Sequence, residues 1–370
     1  MTDALIPITG FADEPAELKA AMRAACDRVL NSPTWILGPE VAHFEEEFSS
    51  ALNITRAVGV GNGMDALEIV LRGRGIGPGD EVITTPMTAA ATILAIIRAG
   101  ATPVLADIDP ETALLSIDSV QRCITPRTRA VILVHLYGQM RDLDQWTELC
   151  DTNGIDLIED CAQGHGASWR GLSGGAYGVA GAYSFYPTKN LGAVGDGGAV
   201  VTNDPAIAET AIVLRNYGQR ARYEHVDVGL NTRLDEMQAA ILSARLGFLS
   251  SFTQRRREVA ASYRQGIGNP LITLLDEPQE HSAHVYHLFV ITTPQRHRLQ
   301  EHLAAHGVPT LIHYPIPAHE QEAFAGIRFD PEGLGASENH ARTCLSLPCH
   351  PQLTDEQVSR IIDAVETFTG

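Results

Sequence analysis

The sequence predicts an α/β protein: a large domain on a mostly parallel sheet, followed by a smaller α+β C-terminal domain. Two observations carry that prediction. From about residue 55 to 205, short apolar strands alternate with longer helical patterns. After about residue 235 the alternation gives way to long helical stretches and turn-rich segments. A length of 370 residues suits two fused domains better than one small module. The division falls near residue 245, with 1–245 in the large domain and 246–370 in the small one.

Each element follows from its own pattern. Arg56–Val60 reads as a strand, and GNGMDALEIVLRGRG then opens a helix that closes near Gly75. Glu81–Thr84 is a strand, Thr88–Ala99 a helix rich in small residues, and Thr102–Asp107 another strand. AVILVH (Ala130–His135) and IDLIE (Ile155–Glu159) are apolar runs, as expected of strands covered on both faces. Ala182–Phe185 and Gly198–Val201 are two more short strands. Further on, LDEMQAAILSARLGFLSSFTQRRREVAASYRQGI carries apolar residues at three- and four-residue spacing, one long helical stretch. HVYHLFVI (His284–Ile291) is strand-like and QRHRLQEHLAAHG helical. The terminal helix TDEQVSRIIDAVETF starts at a Thr354 cap with Glu356 nearby.

Composition excludes several classes of function. Lys plus Arg number 27 against 45 Asp plus Glu, a net charge of −18, which argues against nucleic-acid or anionic-membrane binding. The longest uncharged apolar run, Met87 to Ile97, is about half a bilayer span. The start MTDALIPITG lacks a basic and an apolar signal region, so a cytoplasmic location is expected. Six cysteines are scattered without a CxxC pair, so reduced thiols and no metal centre are expected.

Three motifs sit at predicted strand ends. Gly61-Asn62-Gly63-Met64 is a glycine turn where backbone N–H groups and a helix N-terminus can receive an anion, although a plain strand–helix turn explains it as well. The strand IDLIE delivers Asp160 at its carboxyl end, with Gln163 one helical turn on. Such an Asp can pair with a protonated pyridine nitrogen, or simply cap a helix. Lys189, in SFYPTKNL ahead of the turn Gly195-Asp196-Gly197-Gly198, is one of few lysines. Partly desolvated, it becomes a nucleophile toward aldehydes; a solvated loop lysine is the alternative. Together, an anion cradle, a strand-end Asp and a loop Lys are the parts that a pyridoxal phosphate (PLP) site requires.

The chain resembles the fold-type I PLP enzymes of the DegT type, the nucleotide-sugar aminotransferases, over nearly its whole length. The matching stretches are GNGMDAL, GDEVITTP, DIDPET with SID, AVILVHLYGQMRDLD, IEDCAQGHGA, SFYPTKNLGAVGDGGAV, RNYG, GLNTRLDEMQAAIL and HYPIPAH. The resemblance implies a three-layer PLP-transferase large domain. It also implies a homodimer with shared active sites, acting on a nucleotide-diphosphate keto sugar with an amino acid, glutamate, as donor. By resemblance, Lys189 is the catalytic residue that bonds to PLP and moves the proton. Asp160 holds the pyridine nitrogen protonated, and Gln163 contacts the ring's 3-oxygen side. Backbone N–H groups of Gly63 and Met64 and the Ser184 hydroxyl bind the phosphate, and Asn231 reaches the phosphate of the neighbouring subunit's cofactor. Tyr186, Asn190, His313, Tyr314 and His319 are candidates for the sugar or pyrophosphate. For the last three, polar residues on a turn made by Pro315 and Pro317 is an equal reading. His135 and His165 stay open between structural and ligand roles.

Two departures from the family pattern stand out. Many relatives carry a ring-stacking aromatic where this chain reads Thr88-Ala89, and Met64 replaces a frequent Thr. A dehydratase branch has His in place of the lysine, so Lys189 favours transamination. The run SFYPTKNLGAVGDGG resembles the subgroup that aminates C3 of 3-keto-6-deoxyhexoses on a thymidine diphosphate carrier. Relatives acting on 4-keto sugars, UDP-sugars or keto-cyclitols are the alternatives, together with a non-catalytic regulatory protein that keeps the fold.

Overall fold

The computed structural model describes residues 5–278 and 280–370. Its centre is an eight-stranded sheet ordered Arg56–Val60, Gly198–Thr202, Ala180–Ser184, Asp156–Asp160, Thr128–Val134, Glu81–Thr84, Thr102–Leu105 and Arg328–Phe329. Every pairing from Ala180–Ser184 to Arg328–Phe329 is parallel, and only Gly198–Thr202 runs antiparallel to its neighbours. The mostly parallel α/β class predicted from strand–helix alternation is the one observed.

Both faces of the sheet are covered. Successive strand residues point to opposite sides, so Ala130 and Ile132 enter one core while Val131 and Leu133 enter another. The first core packs the helices Gly63–Gly73 and Pro205–Leu214 through Ile69, Val70 and Leu214; the second takes Trp146 and Leu149 from Leu143–Asn153.

Two N-terminal helices, Ala16–Leu30 and Pro39–Leu52, precede the first strand and add to the elements read from the sequence. The second anchors the site-bearing strand. Phe44 and Phe48 meet Phe185 edge-on at 5.3 Å, and Phe48 meets Tyr183 at 5.1 Å, fixing the chain on both sides of Ser184.

The expected long helix is two, Glu236–Leu246 and Leu249–Gly266, parted at Gly247 and Phe248. They serve different cores. Ala239 and Leu242 pack in the large domain, whereas Val259 and Tyr263 pack with C-terminal residues, so the chain must bend between them. The Glu236 carboxylate accepts from the N–H groups of Gly38, Glu40 and Val41 at 2.8–3.0 Å, joining the first helix to the start of Pro39–Leu52.

Other boundaries also move. HVYHLFVI joins a sheet only at its end, in the strand Phe289–Thr292 against Thr273–Leu274 and Cys344–Leu347; His284 bridges separately to Gln139, and Tyr286 between them lies in the left-handed region at φ 44°. The helix foreseen from Thr88 begins at Ala90. The terminal helix closes a capping box at Thr354, whose partner is Gln357 and not Glu356. After the small three-stranded sheet is under way, the chain returns through Arg328–Phe329 to pair with Thr102–Leu105. Arg328 and Asp330 fasten that return, to Glu81 at 2.8 Å and to Arg122 at 2.6 Å.

Candidate active site

The carboxyl ends of Arg56–Val60, Asp156–Asp160 and Ala180–Ser184 converge on a cavity of about 250 Å³ lined by Gly63, Met64, Ala89, Asp160, Gln163, Ser184, Tyr186 and Lys189 among others. At its rim the helix Gly63–Gly73 begins behind an Asn62 cap whose side chain accepts from Asp65 N at 2.9 Å. A Cβ at Gly63 would meet the Ser184 side chain at 2.8 Å, so only glycine brings this helix start against the strand end. Ser184 Oγ accepts from Tyr186 N at 3.3 Å, which leaves its own proton to donate.

Asp160 ends its strand buried, with Oδ1 accepting from Ala162 N at 3.1 Å and Oδ2 from the Thr92 hydroxyl at 2.8 Å. The carboxylate is therefore fixed at both oxygens. Gln163 is fixed as well: its Oε1 accepts from Tyr137 N at 2.6 Å, and its Nε2 donates to the Tyr314 hydroxyl at 3.4 Å. Tyr137 in turn donates to the His313 carbonyl at 2.6 Å, tying the C-terminal segment to the floor of the site.

Lys189 is not a solvated loop lysine. Burial lowers its pKa to about 8, with the Asp160 charge pulling the other way. Burial, and then the Lys189 charge, hold His165 at about 3 and His313 at about 4, and push His287 well below its ordinary value. All three imidazoles are thus neutral, and each is held so in part by the charge of the amine. The chain has only two lysines, Lys19 and Lys189, so each can be followed by peptide mass spectrometry. Reductive alkylation of the cofactor-free protein with a small aldehyde will rise with pH at Lys189, with a midpoint at about 8. A midpoint at the ordinary lysine value of about 10.4 would contradict this account.

A second chamber of about 170 Å³ also touches Lys189, between the N-terminal segment and C-terminal residues such as His313, Ser346 and His350. Asn190 lines this chamber and not the first, and its amide is engaged with the Val285 carbonyl at 3.0 Å and His287 Nδ1 at 3.3 Å. His313 faces the second chamber, with Nδ1 2.9 Å from Ser346 Oγ, while Tyr314 reaches the first site through Gln163. Tyr186 stands half-exposed at the mouth. His319 lies outside both cavities, beside Glu338 at 3.3 Å, and the structure does not bring it to the site. Asn231 is exposed and also outside both, near the turn where Gly61 N donates to Thr232 Oγ1 at 2.9 Å. His135 is structural: it pairs at 2.8 Å with buried Glu159, whose other oxygen accepts from Tyr177 and Gly178 N–H groups. His165 is packed against Tyr183 and Phe185, with ring centroids at 5.1 and 5.8 Å.

Sequence reasoning missed Thr92, Tyr137 and His287. Thr92 had one usable signal, its place four residues after Thr88 and so on the same helix face. The other two act through tertiary contacts that no local pattern announces.

The model of the DegT/DnrJ/EryC1/StrS aminotransferase family matches residues 16–366. The chain belongs to that family. Among its relatives is the dTDP-3-amino-3,4,6-trideoxy-alpha-D-glucose transaminase of Streptomyces venezuelae, 48% identical over 359 residues, covering 95% of this chain and 93% of the relative. Among solved structures, S. venezuelae DesV in complex with a ketimine intermediate superposes with a TM-score of 0.94 at 47% identity, over 98% of each chain. Bacillus subtilis NtdA with bound cofactor PMP gives 0.90 at 27% identity, over 99% of this chain and 86% of that one. As a DegT/DnrJ/EryC1/StrS protein, the chain is an aminotransferase of a PLP-dependent family. Among the described residues, no helix is long and apolar enough to cross a membrane.

Proposed function

We propose that this aminotransferase transfers the amino group of L-glutamate to C3 of a dTDP-linked 3-keto-6-deoxyhexose, with PLP held in the Lys189–Asp160 cavity. The observation that carries the proposal is Lys189 itself, a partly buried amine with pKa about 8 in one cavity with a fixed carboxylate and a helix N-terminus. The name of the Streptomyces venezuelae relative supports the 3-amino position and the dTDP carrier.

The residues fit the cofactor. Gly63, where a Cβ would strike Ser184, leaves the backbone N–H groups of Gly63 and Met64 room to approach a phosphate, and the free Ser184 proton adds a donor. PLP, when bound, supplies the electron sink through which an amino group is exchanged. With PLP bound, Asp160, held at both oxygens, would pair with the ring nitrogen, and Gln163, held by Tyr137 and Tyr314, would meet the ring's oxygen side. Above about pH 8 the Lys189 amine is mostly uncharged, so its lone pair can take a proton from substrate carbon and return it. In this reading Tyr186 at the mouth, His313 from the second chamber and Tyr314 behind Gln163 would contact the sugar, and the neutral His313 would offer a hydrogen bond without charge. Ala89 offers no ring for stacking on its face of the cavity. In this reading residues 1–245 hold the cofactor and 246–370 close over it, in a cytoplasmic enzyme.

A panel of nucleotide keto sugars tests the activity. The yellow holoenzyme should bleach with glutamate and recover with a dTDP-3-keto sugar, giving a 3-amino product. Recovery only with a 4-keto or UDP-linked sugar would reassign the substrate, and no bleaching would remove the proposal.

The surface position of Asn231 supports a site shared across a homodimer, where it would reach the partner's cofactor phosphate. Lys189→Ala and Asn231→Trp should each be nearly inactive alone. After subunit exchange, about a quarter of all sites should recover, because one site of each mixed dimer combines the intact lysine of one chain with the intact asparagine of the other. Sites built within one chain would show no recovery.

A further inference from the structure

Behind Asp160 stands a chain of two hydroxyls. Thr92 Oγ1 lies 2.8 Å from Asp160 Oδ2, and Thr88 Oγ1 lies 2.8 Å from Thr92 Oγ1. All three residues are buried, and all three line the candidate cofactor cavity. An ionised carboxylate only accepts, so Thr92 must donate to Asp160. The single Thr92 proton is then committed, and Thr88 must be the donor to Thr92. The direction of the chain is set from its far end.

Local structure explains why Thr92 is free to do this. A threonine inside a helix commonly bonds back to the carbonyl four residues earlier. Here the helix starts at Ala90, so the residue four back, Thr88, lies outside it and offers its hydroxyl. Thr92 N is already bonded to the Ala89 carbonyl at 3.2 Å. With Oδ1 held by Ala162 N, the Thr92 bond is what stops the carboxylate from rotating about its last bond.

We propose that Thr92 is the positioning residue of Asp160, and that Thr88 is the donor that orients Thr92. This rests on the reading of Asp160 as the partner of the cofactor's ring nitrogen. Outer partners of metal-ligating side chains typically matter by about 10- to 100-fold, and an effect toward the lower end of that range is expected for this carboxylate.

The test strips PLP from the full-length protein and titrates it back, following the visible absorbance, then measures the rate of bleaching by L-glutamate. Thr92→Val keeps the side-chain shape and removes the hydroxyl. It should weaken PLP binding about tenfold and slow maximal bleaching about tenfold, with the glutamate concentration at half-maximal rate within about twofold of wild type. Thr92→Ser should restore both, which a role in packing alone would not produce. Thr88→Val leaves the Thr92–Asp160 bond in place and should shift both quantities the same way by about two- to threefold, keeping the test decisive if Thr92→Val does not fold. Wild-type affinity and rate in Thr92→Val, no rescue by Thr92→Ser, or no shift in Thr88→Val overturns the positioning role. Asp160→Asn in the same titration separates the two levels. If it slows bleaching and Thr92→Val does not, only the role of Thr92 falls; if Asp160→Asn is also silent, the reading of the site falls with it.

Discussion

Lys189→Ala will give a folded protein without measurable transamination, a loss on the order of 10⁴-fold or more, the upper range for a positioned acid–base group. Borohydride will no longer fix the cofactor to the chain, because Lys19, the only other lysine, lies outside the cavity and donates to the Ala12 carbonyl at 2.6 Å. The variant also has a thermodynamic signature. In the cofactor-free protein the folded-state pKa of Lys189, about 8, lies below the ordinary lysine value of about 10.4. Between those values the unfolded chain holds a proton that the folded chain does not, so stability rises with pH across the window and is lost as pH falls through about 8. Lys189→Ala removes that dependence. Urea unfolding from pH 7 to 10.5 should give a flatter curve for the variant than for wild type. Retained turnover, or an unchanged slope, would remove Lys189 from the mechanism.

Asp160→Asn will lower the maximal rate by at least ~10²-fold, about 2.7 kcal/mol, as the loss of a preorganised charge does. Cofactor occupancy should fall far less, since the phosphate contacts proposed at Gly63, Met64 and Ser184 would remain. The amide also breaks the local pattern, because its Nδ2 would face either Ala162 N or the Thr92 hydroxyl, both donors to the present carboxylate. Steady-state rates at saturating PLP, with equilibrium titration of PLP, measure the two effects separately. A wild-type rate would exclude Asp160 as the ring-nitrogen partner.

Much of this molecule was legible in its sequence. Strands such as AVILVH and IDLIE are apolar on both faces because helices cover both sides, and that signal needs no tertiary knowledge. Lys189, Asp160 and Gly63 could be singled out as candidates because glycine turns and strand ends confine where chemistry can sit, Ser184 came only from the family resemblance, and all four line one cavity. What stayed hidden depends on contacts distant in sequence. The break at Gly247 follows from two helices entering different cores, which the continuous apolar spacing of residues 234–267 does not reveal. Asn190 and His319 look like site residues in their motifs, yet one amide is bonded to Val285 and His287 and the other ring sits by Glu338. The Thr92–Asp160 bond joins residues 68 apart in the chain.

The return of Arg328–Phe329 to the large sheet matters for how the chain can be cut. Without that strand, Thr102–Leu105 would present unpaired N–H and C=O groups to water, the kind of margin that recruits other chains into fibrous or amorphous deposits. The later part of the polypeptide thus serves as a hem for the earlier part. A fragment ending at residue 245 would keep every residue proposed to hold the cofactor and would lose its hem. Such a piece is a poor expression target whatever its catalytic inventory, and gene fusions or split-protein designs in this family are better broken elsewhere.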